Sequence, residues 1–177
     1  MTLPGIALTA GSGRFAAGVP APVRPGPVRV LVLGYGNPGR QDDGLGAAAV
    51  AEIETLNWPN VSAYDNYQLC IEDAIDVAEH DVVWFVDASR VGPSPFAFTA
   101  LSRATSLEFT SHLVRPEAIL AMAEHYYSST PCAYLLAIRG YAFEFVEELT
   151  PRASDNLRLA VDALAHRIHA VQSKVSP

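Results

Sequence analysis

The sequence predicts a layered α/β fold built around a parallel sheet. Two segments, residues 28–33 and 81–87, have the β-branched and large apolar residues typical of strands buried on both faces of such a sheet. The first leads into a glycine-rich turn and then into apolar residues at helical spacing. Strand-like and helix-like segments continue to alternate, which favours α/β layers over a helical bundle or a β-sandwich.

The chain is organised around its first strand, turn and helix, residues 28–56. The strand runs into Gly34-Tyr-Gly-Asn-Pro-Gly39 and then into the pair Asp42-Asp43. In open α/β sheets such a turn lies at the carboxyl end of a strand, where ligands bind. The helix after the turn is expected to bury one stripe of apolar residues: Leu45, Ala48, Ala49, Ile53 and Leu56.

The remaining elements are predicted from the same periodicities and from helix-start signals. Pro116 lies where a first helical turn tolerates proline, and Thr150-Pro151 suit the cap and first residue of a last helix. We expect, in chain order, a weaker strand at 60–65, a short helix at about 71–79, the strand at 81–87, an edge strand at 97–101, a helix at 116–125, a strand at 132–138 and a helix from about 150.

Composition limits the function classes. The 177 residues suit a single domain, and no apolar run approaches the roughly 18 residues of a membrane span. A formal charge of −7 without a lysine or arginine cluster argues against a nucleic-acid partner. Residues 1–27, rich in proline, glycine and alanine, are expected to be a disordered tail, and residues 28–177 a single domain.

The two cysteines carry no site signature. Cys70 and Cys132 have neither metal-finger nor redox spacing, so we expect both to be core thiols in a reducing compartment. The first residues also lack the continuous apolar core of a signal peptide. These observations together predict a cytoplasmic protein without a membrane partner.

Asp42-Asp43 stands at the start of the first helix. One aspartate suffices to cap a helix and to complement its dipole. The second suffers like-charge repulsion unless it meets a cation, so a functional ligand and a solvated neighbour of the cap remain equally open. Of the two, we predict Asp42 as the cap and Asp43 as the ligand.

Two further groups arrive at element ends. Asp87 terminates a buried strand, where an isolated charge would cost on the order of several kcal/mol, so it is exposed, paired, ligating or capping the next turn. His112 precedes a predicted helix, whose positive end disfavours an imidazolium and leaves a neutral ring that can bind a metal. Taken alone, His112 is read as a loop histidine.

Asp43, Asp87 and His112 together offer two carboxylates and an imidazole from three different turns. This donor set suits a divalent ion such as nickel, zinc or manganese better than a soft thiolate site does. Three protein ligands with open positions are typical of a catalytic or substrate-receiving metal.

The residues of these turns resemble one family. Gly34-Tyr-Gly-Asn-Pro-Gly-Arg-Gln-Asp-Asp-Gly-Leu-Gly46 resembles the opening signature of the hydrogenase maturation endopeptidases, which trim the carboxy-terminal extension of the large subunit of nickel-iron hydrogenases. Phe85-Val-Asp-Ala88 is similar to the strand carrying that family's second acidic ligand, and Thr110-Ser-His112 to the loop carrying its histidine. Some members have glutamate where this chain has Asp43, so its ligand is one carbon shorter. Further similar landmarks are Tyr67-Gln-Leu69, Glu72, Gly140-Tyr141 and Leu149-Thr150.

The resemblance implies a three-layer α/β/α sandwich around a mostly parallel twisted sheet, and a metal-dependent endopeptidase. Asp43, Asp87 and His112 would bind nickel already loaded in the large-subunit precursor and act through it, without a side-chain nucleophile. The substrate supplies this nickel, and zinc or cadmium can occupy the same ligands in a crystal. Gly36, Asn37 and Gln68 are the implied substrate-binding residues.

Two other interpretations remain. Gly34, Gly36 and Gly39 satisfy G-x-G-x-x-G after a strand, as in a dinucleotide-binding Rossmann-like module, although Asp42-Asp43 would repel a pyrophosphate. Asp65 has roughly the place of a ribose-binding acid. Gly36-Asn-Pro-Gly39 also resembles an early segment of peptidyl-tRNA hydrolase, but that family continues with a histidine where this chain has two aspartates.

Overall fold

The structure is a computed structural model that describes residues 26–102 and 114–173. Within these residues the predicted alternation of strands and helices is confirmed, with boundaries that differ by a few positions. In chain order the elements are β1 (Val30–Tyr35), a short 3-10 helix (Gln41–Gly44), α1 (Leu45–Thr55), β2 (Val61–Asn66), α2 (Asp73–Glu79), β3 (Val82–Ser89), β4 (Phe96–Leu101), α3 (Pro116–Tyr127), β5 (Cys132–Arg139) and α4 (Pro151–Ser173).

The five strands form one mostly parallel sheet in the order β2-β1-β3-β5-β4. β2, β1, β3 and β5 are parallel, and β4 pairs antiparallel with β5 at one edge, where the sequence predicts an edge strand. β1 and β3 lie inside the sheet, which explains why their sequences are continuously apolar rather than alternating.

Helices cover both faces of the sheet, so the three-layer α/β/α sandwich is confirmed. α1 and α4 pack on the face that carries Val30, Val32, Trp84 and Leu136. α2 and α3 pack on the opposite face, against Leu31, Leu33 and Phe85. Alternate residues of each central strand thus enter different cores.

The order of the strands creates a crevice between β1 and β3. From β1 the chain passes through α1 to β2 on one side, and then through α2 on the other face to β3 on the opposite side of β1. In an open α/β sheet, ligands bind at such a reversal, outside the carboxyl ends of the two strands. The turns that follow β1 and β3 therefore border the expected binding position.

Two local predictions are wrong. Leu56 lies just beyond the end of α1 and is 40% exposed, because the helix stops before the predicted stripe is complete. The cysteines are not core thiols: Cys132 begins β5 and is exposed, and Cys70 is half-buried in the connection before α2. Residues 1–25 of the predicted tail lie outside the described residues.

The start of α4 agrees with its sequence signals. Pro151 is the first residue of the helix, and the hydroxyl of Thr150 accepts a hydrogen bond of 3.3 Å from the backbone N–H of Ala153. Among the helices of the described ranges, none combines the length and the apolar character that crossing a membrane requires.

Candidate metal and active site

The parallel register of β1 and β3 brings Tyr35 and Asp87 together. Gly34 pairs with Val86, so the next residue of each strand lies at the same level, at the carboxyl ends. There the Tyr35 hydroxyl donates a hydrogen bond to the Asp87 carboxylate. The sequence did not single out Tyr35, although its position at the end of an apolar strand beside the glycine turn was an available signal.

Asp87 titrates far from its usual range. Burial raises its pKa to about 6, and the negative charge of Asp43 acts in the same direction. Hydrogen bonds from the Ala88 backbone N–H, at 2.7 Å, and from Tyr35 oppose this rise only in part. A carboxylate held near another carboxylate in a partly dry crevice is the situation that a bound cation relieves.

Asp43 lies on the 3-10 helix that follows the glycine turn. It is half-buried, and one of its carboxylate oxygens accepts a hydrogen bond of 3.1 Å from the backbone N–H of Asn37. The effect of its charge on Asp87 places the two side chains in one electrostatic neighbourhood. The structure thus brings together two of the three predicted ligands.

The glycines make this close approach possible. Gly36 has φ of +132°, and a Cβ there would collide with the backbone carbonyl oxygen of Asp43. A Cβ on Gly34 would meet the carbonyl oxygen of Gly46, and one on Gly46 would meet the backbone of Tyr35 and Val86. The start of α1 therefore lies directly on the ends of β1 and β3, and Asp43 is carried to the crevice with it.

Asp42 is not the helix cap that the sequence suggested. Its side chain is fully buried and accepts hydrogen bonds from the loop after β5 and from the start of α4. The donors are the backbone N–H groups of Tyr141 (2.6 Å), Ala142 (3.1 Å) and Thr150 (2.7 Å) and the hydroxyl of Thr150 (2.9 Å). Burial acts to raise the pKa of Asp42, but these hydrogen bonds outweigh it and lower that pKa. Such long-range partners cannot be read from a local motif.

Hydrogen bonds therefore hold the loop of residues 140–150 along the turn that carries Asp43. The backbone N–H of Gln41 donates to the Val146 carbonyl oxygen at 2.6 Å, and the Gln41 side chain accepts from the Glu144 N–H at 3.1 Å. The Arg40 guanidinium donates to the Phe143 carbonyl oxygen at 3.3 Å and lies over the Phe145 ring, 5.2 Å from its centre. This loop borders the site, although its sequence showed only the landmarks at its two ends.

The predicted substrate-binding residues lie in the same region. Asn37 uses its backbone N–H to position Asp43, and its side-chain amide donates to the Tyr67 hydroxyl at 2.6 Å. Gly36 precedes it in the turn, and Gln68 is exposed in the connection after β2. All three residues are at the carboxyl edge of the sheet.

His112, the third predicted ligand, lies outside the described residues. In residues 26–102 and 114–173, no three His, Cys, Asp or Glu side chains form a group that could hold a metal. α3 begins at Pro116, four positions after His112, and the charge of its Glu117 contributes to the raised pKa of Tyr35. The first turn of α3 is therefore near the pair formed by Tyr35 and Asp87.

Comparison with known proteins gives matches at the level of structure only. No protein-family model matches the sequence, and no curated protein matches it. Among solved structures, the chain is similar to a [NiFe] hydrogenase maturation protease, HycI, from Thermococcus kodakarensis, with a TM-score of 0.62 and 21% identity over 80% of this chain and 93% of that one.

Two other solved structures give the same picture. The hydrogenase maturating endopeptidase HybD from E. coli matches with a TM-score of 0.62 and 18% identity, covering 81% of this chain and 93% of its own. A hydrogenase 2 maturation peptidase from a Thaumarchaeota archaeon matches with a TM-score of 0.58 and 21% identity, covering 79% and 97%. At these identities the similarity establishes the fold. This chain has the fold of these hydrogenase maturation peptidases.

Proposed function

We propose that this protein is a metal-dependent endopeptidase that removes the carboxy-terminal extension of a nickel-loaded hydrogenase large-subunit precursor. The observation that carries the proposal is the pair Asp43 and Asp87, which border the reversal between β1 and β3, where the charge of Asp43 helps to raise the pKa of Asp87 by electrostatic repulsion. A shared divalent cation removes this repulsion. Solved structures of the same fold are maturation proteases, which agrees with this function.

The donor set fits the proposed metal. Two carboxylates from the described residues and the imidazole of His112 would make an oxygen and nitrogen set suited to nickel or zinc, with coordination positions left for the substrate. The short distance in sequence from His112 to α3 supports this assignment, because the first turn of α3 acts electrostatically on Tyr35. When bound, such an ion supplies Lewis acidity toward the scissile carbonyl and its attacking water.

The nickel in this proposal arrives as part of the substrate. Asp43 and Asp87 then select the nickel-loaded precursor. Their negative charges attract a precursor that presents a cation and gain no interaction energy from one that lacks it. Tyr35 orients the Asp87 carboxylate, and the Asn37 backbone N–H orients that of Asp43. The protein contributes positioned, partly desolvated oxygens rather than a nucleophile.

The cysteines give no support to a thiol mechanism. Burial raises the pKa of the half-buried Cys70, which favours the less nucleophilic thiol form. Cys132 begins β5, whereas Asp87 lies near the carboxyl end of β3 and Asp43 follows β1 in the glycine turn. Because β5 is parallel to β3, Cys132 lies at the amino-terminal end of the strands, away from the crevice.

The dinucleotide interpretation loses its main support. The space that its glycines would open for a pyrophosphate is filled by the chain itself, since Gly34 contacts Gly46 and Gly36 contacts the carbonyl of Asp43. The turn also presents the Asp43 carboxylate, which repels phosphate. We therefore do not propose a nucleotide ligand. A cytoplasmic location stays a prediction of the sequence.

The decisive experiment compares nickel-loaded and nickel-free forms of the precursor large subunit from the same organism. We expect the wild-type protein to remove the tail of the loaded form alone, scored as loss of mass. We expect a lower cleavage rate for three variants, Asp43→Asn, Asp87→Asn and His112→Ala. Each should lose at least the roughly 10- to 100-fold that removal of an outer-shell partner costs a metal site. Asp155→Asn, at an exposed carboxylate on α4, is the control and should cleave normally. Equal cleavage of the two forms would refute metal-dependent recognition.

A further inference from the structure

We propose that five exposed side chains at the carboxyl edge of the sheet, together with the half-buried Arg40, bind an extended apolar peptide segment of the precursor on both sides of the scissile bond. We call this set the rim surface: Arg40, Tyr67, Ile71, Val91, Phe145 and Val146. The inference rests on the proposed function and deepens it, since it says which part of the protein holds the peptide and what chemistry that peptide has.

The rim surface is a concentration of exposed apolar groups on loops. Phe145 is 85% exposed, Tyr67 is 67% exposed and Val91 is 92% exposed, and all three follow the carboxyl ends of parallel strands. Because such ends meet at one edge of a sheet, the loops lie around the same crevice. Large apolar side chains left in water at one edge are typical of a surface that a partner covers.

Direct contacts connect both sides of the rim surface to the turn that carries Asp43. On one side, the Asn37 amide donates to the Tyr67 hydroxyl at 2.6 Å, while the Asn37 N–H binds the Asp43 carboxylate. On the other side, Arg40 lies over Phe145 and binds the Phe143 carbonyl. Tyr67 and Phe145 thus flank the proposed reaction centre, as the residues before and after a scissile bond require.

Charge limits the occupant further. Arg40 is half-buried, and its guanidinium is already held by the Phe143 carbonyl oxygen and the Phe145 ring. Glu144, Glu147 and Glu148 are exposed on the loop behind Phe145, and the whole chain has a charge of −7. A polyanion would be repelled there, whereas an apolar peptide adds no charge to this surface.

The chain offers a matched control at the opposite edge. Tyr126 is 66% exposed, almost the same as Tyr67, but it lies near the end of α3, shortly before the amino-terminal end of β5. Substituting Tyr126 therefore removes an equivalent exposed ring that is remote from the crevice.

The test measures cleavage of the nickel-loaded precursor by Tyr67→Ala, Phe145→Ala and the control Tyr126→Ala. We expect KM to rise roughly 5- to 30-fold for each alanine variant of the rim surface, with kcat within about twofold of wild type, because a binding contact is lost and not a reacting group. Tyr126→Ala should stay within about threefold of wild type. Far-ultraviolet circular dichroism of each variant confirms that it is folded.

Binding of the nickel-free precursor separates this inference from the proposed function. That form should bind without being cleaved, and its Kd should weaken by the same factors for Tyr67→Ala and Phe145→Ala. If the wild type cleaves the loaded precursor but both variants bind and cleave like Tyr126→Ala, the rim surface is wrong and the function stands. If no precursor is cleaved but the two variants still lose binding, the function fails and the surface stands.

Discussion

At the scale of single residues, Asp87 shows how opposing effects in the crevice set the pKa of a carboxylate. Burial and the charge of Asp43 push its pKa up, and hydrogen bonds from Ala88 and Tyr35 hold it down, with the balance at about 6. The sequence indicated that an aspartate at the end of an apolar run needs a partner, and the charge of Asp43, which it proposed as a second ligand, acts on the pKa of Asp87. It could not reveal Tyr35, because the contact depends on the register between two strands rather than on any motif.

This pKa predicts a pH-dependent stability for the metal-free protein. The pKa of Asp87 is about 6 in the folded state and 3.8 when unperturbed, so the folded protein binds this proton more tightly. The resulting stabilisation is complete below pH 3.8 and is lost as the pH rises through 6. In chelator, we expect Asp87→Asn to gain roughly 1 to 3 kcal/mol over wild type between pH 4 and pH 7.

Urea unfolding of both proteins across this pH range measures the difference. Asp155→Asn, which removes an exposed carboxylate on α4, is the control for the loss of one negative charge. A difference between Asp87→Asn and wild type that does not change between pH 4 and pH 7 would contradict the assignment of the raised pKa to Asp87.

At the scale of elements, the sequence predicted most of the fold because its local signals agree with the final packing. The two central strands are continuously apolar as far as Leu33 in β1 and Val86 in β3, and Pro116, Thr150 and Pro151 mark helix starts that the structure confirms. Leu56 was misplaced because a periodic pattern does not say where a helix stops. Asp42 was taken for a cap because its true partners, Tyr141 and Thr150, are about a hundred positions away in the sequence.

The contact between α1 and the strand ends predicts that replacing Gly46 lowers the stability of the protein. In Gly46→Ala, the added Cβ would press on the backbone of Tyr35 and Val86 at once, and neither can move without disturbing β1 or β3. We expect a loss of roughly 1 to 3 kcal/mol in the free energy of unfolding, measured in urea. Gly39→Ala is the matched control, since its Cβ would approach only the Asn37 side chain, at 3.2 Å. Equal stability of the two variants would show that α1 is not seated this closely.

At the scale of the whole molecule, the sheet lies between two apolar cores and couples their stability. Trp58 and Trp84, the two tryptophans of the chain, belong to the face covered by α1 and α4. Ile119 is fully buried on the other face, under α2 and α3. Because each central strand supplies side chains to both cores, loss of one core should unfold the other. The composition predicted a single domain but not which residues share a face.

Ile119→Ala tests this coupling. It should lower the stability by roughly 2 to 5 kcal/mol. Tryptophan fluorescence, which reports the opposite face, should shift its unfolding midpoint together with circular dichroism. Leu159→Ala, at a half-exposed position on α4, is expected to leave both midpoints nearly unchanged. A fluorescence transition that stays at the wild-type midpoint in Ile119→Ala would mean that the two cores unfold independently.

Asp42 and Asp43 are adjacent aspartates that differ in whether a longer side chain fits in their place. Four hydrogen bonds surround the carboxylate at position 42, so neither a longer side chain nor an amide fits there without leaving a donor unsatisfied. Position 43 is held by a single backbone N–H and opens toward the crevice. Its side chain can therefore lengthen to glutamate and adjust its reach while the backbone stays where its neighbour fixes it. A glutamate should consequently be rejected at position 42 and accepted at position 43.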